Sequence, residues 1–357
     1  MTTIASVMRM KPMVVIIFMT LLALIFSNLL ACSIIALSSE SNVDVIIVCH
    51  TEFGHVENRE LIFEKDPVGV EEGVPNLVSI AEKYGAKITF AVCPEVASHF
   101  PRGINHEIGL HIHPGWMPVE HKNSRSWIVG DLYLKEHCQQ SVNSTILRDY
   151  SYDEQLNMIT VGKEYVRDTL GIEPRVFVAG KWCEDNNIIR ALVTAGFTHS
   201  CSAVPHSKSD HYDWSMLPRI CMPYHPSEEN YQKRGNSPLL IVPISQMLSG
   251  MSVTPESAPS VGLSWLKAGF KEYYRQNLPL FHICLHSPCA TDRYFISVFD
   301  DLLNFISRHQ NINFRFVSEI IEYAMVEPRT NILPYLLALN GDIIKAFTRE
   351  MLRKCWR

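Results

Sequence analysis

The stretch EEGVPNLVSIAEKYGAKITFAVC, residues 71–93, holds the pattern that decides the fold. Its first part spaces apolar residues as a helix does and ends on Gly85, a residue suited to the left-handed turn that stops a helix. Its second part, KITFAVC (87–93), is a short apolar run of the kind found in strands buried on both faces. A similar run, VDVIIVC (43–49), comes before the helix. Strand, helix and strand in this order make a right-handed crossover between parallel neighbours.

The alternation continues in both composition and punctuation. EIGLHIH (107–113) reads as a third strand, followed by a polar, irregular loop from 114 to about 150. Residues 151–171, SYDEQLNMITVGKEYVRDTLG, open with Ser151 and Glu154 at capping-box spacing and close on Gly171. RVFVAG, FTHSCSA, LLIVPI (239–244), LFHICL (280–285) and NFRFV (313–317) supply further strands. Helices over DNNIIRALVTAG, around 262–276 and over 292–308 lie between them. About eight units in roughly 290 residues predict an α/β protein, a single distorted (β/α) barrel of seven to eight units spanning 41–326. From 327 to 357 a separate helical tail is expected, packed on the barrel or lying on a membrane surface.

The first forty residues read differently. Arg9 and Lys11 precede an apolar stretch, 13–37, which at about 1.5 Å per residue is long enough to cross a bilayer. Basic residues lie before it and none lies immediately after, so the body is expected on the extracytoplasmic side. A cleaved signal peptide is the competing reading of residues 1–40, and it also exports the body. The chain of 357 residues is 47% hydrophobic and carries a net charge of −5, with a pI near 6.3. Nothing in that balance suits a nucleic-acid partner. Ten cysteines in an exported body allow one or two disulfides, with Cys138, Cys183, Cys201, Cys221 and Cys289 in the loop-like positions.

In a (β/α) barrel the functional residues collect where strands end. His50 and Glu52 follow the first strand, His111 and His113 the third, Lys181 and Trp182 follow RVFVAG, and His286 follows LFHICL. His111 and His113, two apart in an extended chain, face one point. Two hydrogen-bonded core histidines would be the plain alternative. With Glu52 and His286 at equivalent strand ends, the set has the pattern of a catalytic site for Zn²⁺ or a similar divalent ion. His55 and Glu57 read as solvated loop residues.

These residues lie in motifs that resemble the NodB-type polysaccharide deacetylases, carbohydrate esterase family four, in its divergent branch with a His-x-His-Pro second motif. VCHTEFG, EIGLHIHP, EPRVFVAGKW, YDWSMLPRICMPY and ICLHSP stand in the order of the family's five motifs, between about 43 and 318. The resemblance implies a metal-dependent hydrolase that removes acetyl groups from an N-acetylated extracytoplasmic glycan. Glu52, His111 and His113 would hold the ion, Zn²⁺ or else Co²⁺ or Ni²⁺. His50 would be the base or a third imidazole on the metal, and His286 the acid. Trp182, Asp213, Trp214 and Tyr224 would line the sugar groove. Two positions depart from the family in a linked way: His50 stands where it has a catalytic Asp, and Val178 where it has the Arg that holds that Asp. Ser200 stands where relatives commonly carry Asp. Either His50 serves as a base of ordinary near-neutral pKa, or the barrel is a membrane-anchored glycan-binding protein that has lost its chemistry.

Overall fold

A nine-residue strand, β1 (Val43–Thr51), runs through the centre of the molecule and is buried at every position but Asp44. Its residues are Val, Ile and Cys almost throughout because both faces are covered, so no polar alternation survives. The computed structural model describes residues 42–116, 130–324 and 326–339. The strands that follow are β2 (Ile88–Val92), β3 (Glu107–Ile112), β4 (Val176–Ala179), β5 (His199–Ser200), β6 (Leu240–Ile241), β7 (Leu280–His286) and β8 (Ile312–Arg315).

All ladders among these eight are parallel. Along one edge β1 pairs first with β8 over Val43–Ile46 and then with β2 over Ile47–Thr51. Along its other edge it pairs with β7, in a register that sets His50 beside His286. From β2 the sheet curls through β3, β4 and β5 to β6. Between β6 and β7 there is no ladder. Single backbone bonds bridge that seam instead, Ser245 N to His282 O at 3.3 Å and Cys284 N to Val253 O at 3.1 Å. The result is a curled parallel half-barrel with helices on its outer face, the distorted form of a (β/α) barrel.

The helices form where the punctuation predicts them. They are α1 (Gly73–Lys83), α2 (Tyr152–Leu170), α3 (Asn186–Thr194), α4 (Leu263–Arg275) and α5 (Arg293–Ser307). Ser151 and Glu154 cap α2 reciprocally, and Gly171 ends it at φ 74°. Asp185 and Asp292 cap α3 and α5 through their carboxylates. On α5, Phe295, Val298, Phe299, Leu302, Leu303 and Ile306 form the buried stripe that seals the sheet.

Three expectations need correction or bounding. The loop after β3 contains a short helix, Leu132–His137, because Asp131 accepts from Leu134 N and nucleates the turn. The eight described cysteines are all free, so none of the expected disulfides forms among them. All of them but Cys221 are buried within the packed body, where a thiol serves as a small apolar side chain. The predicted membrane segment at 13–37 lies outside the described residues. Among the described residues no helix is long and apolar enough to cross a membrane. The described part of the tail forms a short helix, Leu333–Leu337, docked on α4: Tyr335 stacks near Trp265 at 4.7 Å and donates to buried Glu272 at 2.8 Å.

Candidate active site

Parallel strands end together, so the side chains at the ends of β1, β3, β4 and β7 share one cleft. Around the His50 ring, the rings of His111, Trp182 and His286 each lie with centroids 4.7 Å away. The His113 ring lies 4.8 Å from that of His111. His111 Nδ1 donates to the Val178 carbonyl at 2.9 Å, which fixes its tautomer and leaves Nε2 as a lone pair. That Nε2 is buried and has no hydrogen-bond partner.

Glu52, His111 and His113 each bring one ligand-type atom within 4.8 Å of the others. Glu52 Oε2 stands 3.6 Å from His113 Nε2 and its Oε1 stands 3.7 Å from His286 Nε2. Burial drives the His111 imidazole down to about 3 and holds His113 well below its ordinary range, so both are neutral ligands. Burial also raises the Glu52 carboxyl to about 7, a shift that the charge of His286 opposes and that of Glu256 reinforces. Two neutral imidazoles, one with an unpartnered lone pair, and a carboxylate beside them fit a divalent ion of the Zn²⁺ type.

Beside this trio runs a chain of proton-bearing groups. His286 Nδ1 donates to the Glu256 carboxylate at 2.9–3.0 Å, and the His286 backbone N–H donates to it at 2.6 Å. His286 Nε2 lies 3.2 Å from His50 Nδ1. Burial alone would lower His286, yet the Glu256 carboxylate, aided by Glu52, lifts it to about 9. His50 is driven the other way, first by burial and then by the charge of His286. It therefore lies well below its ordinary range and is not the base of near-neutral pKa expected from its type. Its Nε2 is buried without a partner at the end of the chain.

Glu256 escaped the sequence reading. It sits in a single 3-10 turn, Pro255–Ser257, after a segment with no strand or helix period. The one available signal was Thr254-Pro255, a capping residue followed by a first-turn proline. Gly180 also went unread. A Cβ there would lie 2.5 Å from His113 Nδ1 and from the Ile112 carbonyl, so only glycine lets the ring approach. Gly180→Ala should displace His113 and weaken zinc binding by about 10–100-fold, as loss of ligand support commonly does. Competition with a chromophoric chelator would measure it, and unchanged affinity would remove His113 from the ligand set.

Of the four expected groove residues, two belong to the core instead. Trp214 and Tyr224 are 0% and 1% exposed, so neither ring can stack on a sugar. Trp214 Nε1 donates to the Trp182 carbonyl at 3.0 Å, and Tyr224 donates to the Tyr231 carbonyl at 2.8 Å. Trp214 thereby buttresses a turn in which Lys181 and Trp182 both take left-handed conformations, at φ 53° and 58°. Trp182 itself lies edge-on to His50 in the cleft. Asp213 is tied up by Lys208 and Ser215, which hold its carboxyl down at about 2. Ser200 lies beneath this turn, where its hydroxyl donates to buried Glu184.

Solved structures share the curled parallel half-barrel, polysaccharide deacetylases among them. A protein assigned as a polysaccharide deacetylase from Mycobacterium smegmatis superposes with a TM-score of 0.50 at 16% identity, over 82% of this chain and 97% of that one. One from Pseudomonas aeruginosa PAO1 gives 0.50 at 12% identity, over 78% and 89%. Puue allantoinase gives 0.51 at 13% identity, over 80% and 91%. No protein-family model and no curated protein matches the chain.

Proposed function

We propose that the protein is a metal-dependent hydrolase that removes acetyl groups from an N-acetylated, extracytoplasmic glycan. The observation that carries this reading is the unpartnered His111 Nε2, buried between Glu52 and His113 and flanked by the Glu256–His286–His50 chain. Glu52, His111 and His113 would hold the ion, which when bound supplies water activation and polarisation of an amide carbonyl.

The remaining steps fall to this chain's own side chains. The pair is a base in its deprotonated form, whose share grows as the pH rises toward the His286 value of about 9. In that form Glu256 keeps the single His286 proton on Nδ1, so the free His286 Nε2 faces His50 Nδ1–H. When His50 Nε2 takes a proton from the attacking water, its Nδ1 proton passes to His286 Nε2. Glu256 stabilises the imidazolium so formed. The departing amine then recovers the proton from this pair, and both imidazoles return to their starting state. Trp182 walls the cleft on one side, where an aromatic face suits a sugar ring.

Acetate release from N-acetylated chito-oligosaccharides or peptidoglycan fragments tests the reading. Turnover should vanish with a strong chelator and return with Zn²⁺ or Co²⁺. The rival, a glycan-binding protein without chemistry, draws on His50 and Val178 standing where the resembled family has Asp and Arg. Glycan binding with no acetate released from any N- or O-acetylated substrate would establish the rival and end the hydrolase reading.

A further inference from the structure

Between β1 and α1 the chain makes a strap, a two-stranded antiparallel hairpin of His55–Glu57 and Glu60–Ile62 that continues to Asp66. The strap closes on itself through Gly54 N to Asp66 O at 2.8 Å. Its Phe63 ring packs edge-on against His286 with centroids 5.6 Å apart, so the strap borders the cleft. Inside the strap, His55 gathers three carboxylates. Its Nδ1 lies 3.0 Å from Asp66 Oδ2 and 3.7 Å from Glu64 Oε1, and its Nε2 lies 3.4 Å from Glu57 Oε1. We infer that His55, Glu64 and Asp66 form a second divalent-cation site, separate from the Glu52–His111–His113 cleft, which pins the strap over His286.

Four observations support this assignment. The ligand-type atoms of His55, Glu64 and Asp66 lie within 4.8 Å of one another. His55 Nδ1 is shielded from solvent, yet it makes no hydrogen bond of acceptable geometry even to nearby Asp66, so its in-plane direction is unused. The charge is also unbalanced, because one imidazole carries at most one positive charge against three carboxylates. Among the described residues no lysine or arginine pairs with those carboxylates. Arg59 turns away to the Tyr294 ring at 4.6 Å, and the charge of Lys65 acts on Glu95 and Asp131. Finally, Asp66 is already fixed: its Oδ1 accepts from Val68 N at 3.0 Å, which leaves Oδ2 facing His55. One imidazole with carboxylate oxygens suits Zn²⁺ or Mn²⁺.

Zinc bound per chain after dialysis and gel filtration of the full chain gives the test. The unaltered protein should carry two ions. His55→Gln combined with Asp66→Asn should carry one, and the amide oxygen that the second change introduces preserves the cap on Val68. His111→Ala should also carry one, lost from the cleft. In His111→Ala, zinc should also slow tryptic cleavage at Arg59 and Lys65 at least 10-fold. Strap variants that keep the unaltered stoichiometry, or strap cleavage indifferent to zinc, would overturn the proposal and leave His55 an ordinary ion-pair partner. A stoichiometry that falls with the strap variants but not with His111→Ala would uphold this site while removing the cleft reading.

Discussion

Replacing His50 by alanine is expected to cut acetate release by about 10²–10⁴-fold, the usual worth of a general base, while bound zinc stays unchanged. If His50 is a metal ligand instead, occupancy falls together with turnover. His50→Asp alone should recover little, since the new carboxylate would have no cation to orient it. Val178→Arg alone should destabilise the fold by about 3–5 kcal/mol, because Val178 is fully buried and the guanidinium would stand unpaired. The double change should do better than the sum of the single ones. His111 links the two positions, with its ring against His50 and its Nδ1 on the Val178 carbonyl. Strict additivity in both stability and turnover would break that link. A silent His50→Ala in an acetate-releasing protein would remove His50 from the mechanism.

Glu256→Gln is expected to lower kcat by about 10²–10³-fold with KM and zinc content nearly unchanged. The amide can still accept from the His286 backbone, so the turn should persist, and a thermal midpoint near that of the unaltered protein would check this. What is lost is the negative charge that supports a protonated His286, and with it the proton store of the pair. A fall in zinc affinity equal to the fall in kcat would make Glu256 a support of the cleft's shape rather than of its proton.

The two predictions differ in how well the sequence announced them. His50, Glu52, His111, His113 and His286 were legible because each ends a run of β-forming residues, and parallel strands end together. The helix boundaries were legible for a similar reason: Ser151, Asp185 and Gly171 are capping residues whose chemistry is local. Glu256 was not, because its partnership with His286 spans thirty residues and rests on an irregular segment. Trp214 and Tyr224 were misread because an aromatic residue in a loop looks alike whether its ring covers a sugar or fills the core. Only the packing of the 212–231 segment decides that. The open seam between β6 and β7 was likewise invisible, since unit counting cannot tell a ladder from two isolated bonds. His55 and Glu57 read as solvated loop residues because charges crowd the sequence around them, whereas the strap's closure through Gly54 is a matter of geometry.

The position of β1 has a consequence for how the chain comes into being. Its partners come from distant parts of the sequence: β2 follows closely, whereas β7 and β8 are the last of the described strands to be made. Roughly 230 residues separate the end of β1 from the start of β7, so at about 5–20 residues per second a ribosome needs on the order of 10–50 s to deliver the missing edge. Throughout that interval the longest of the described strands has one side unpaired, a template for any other extended chain it meets. The chain is thus a late closer, and its yield on refolding from denaturant should fall steeply as concentration rises.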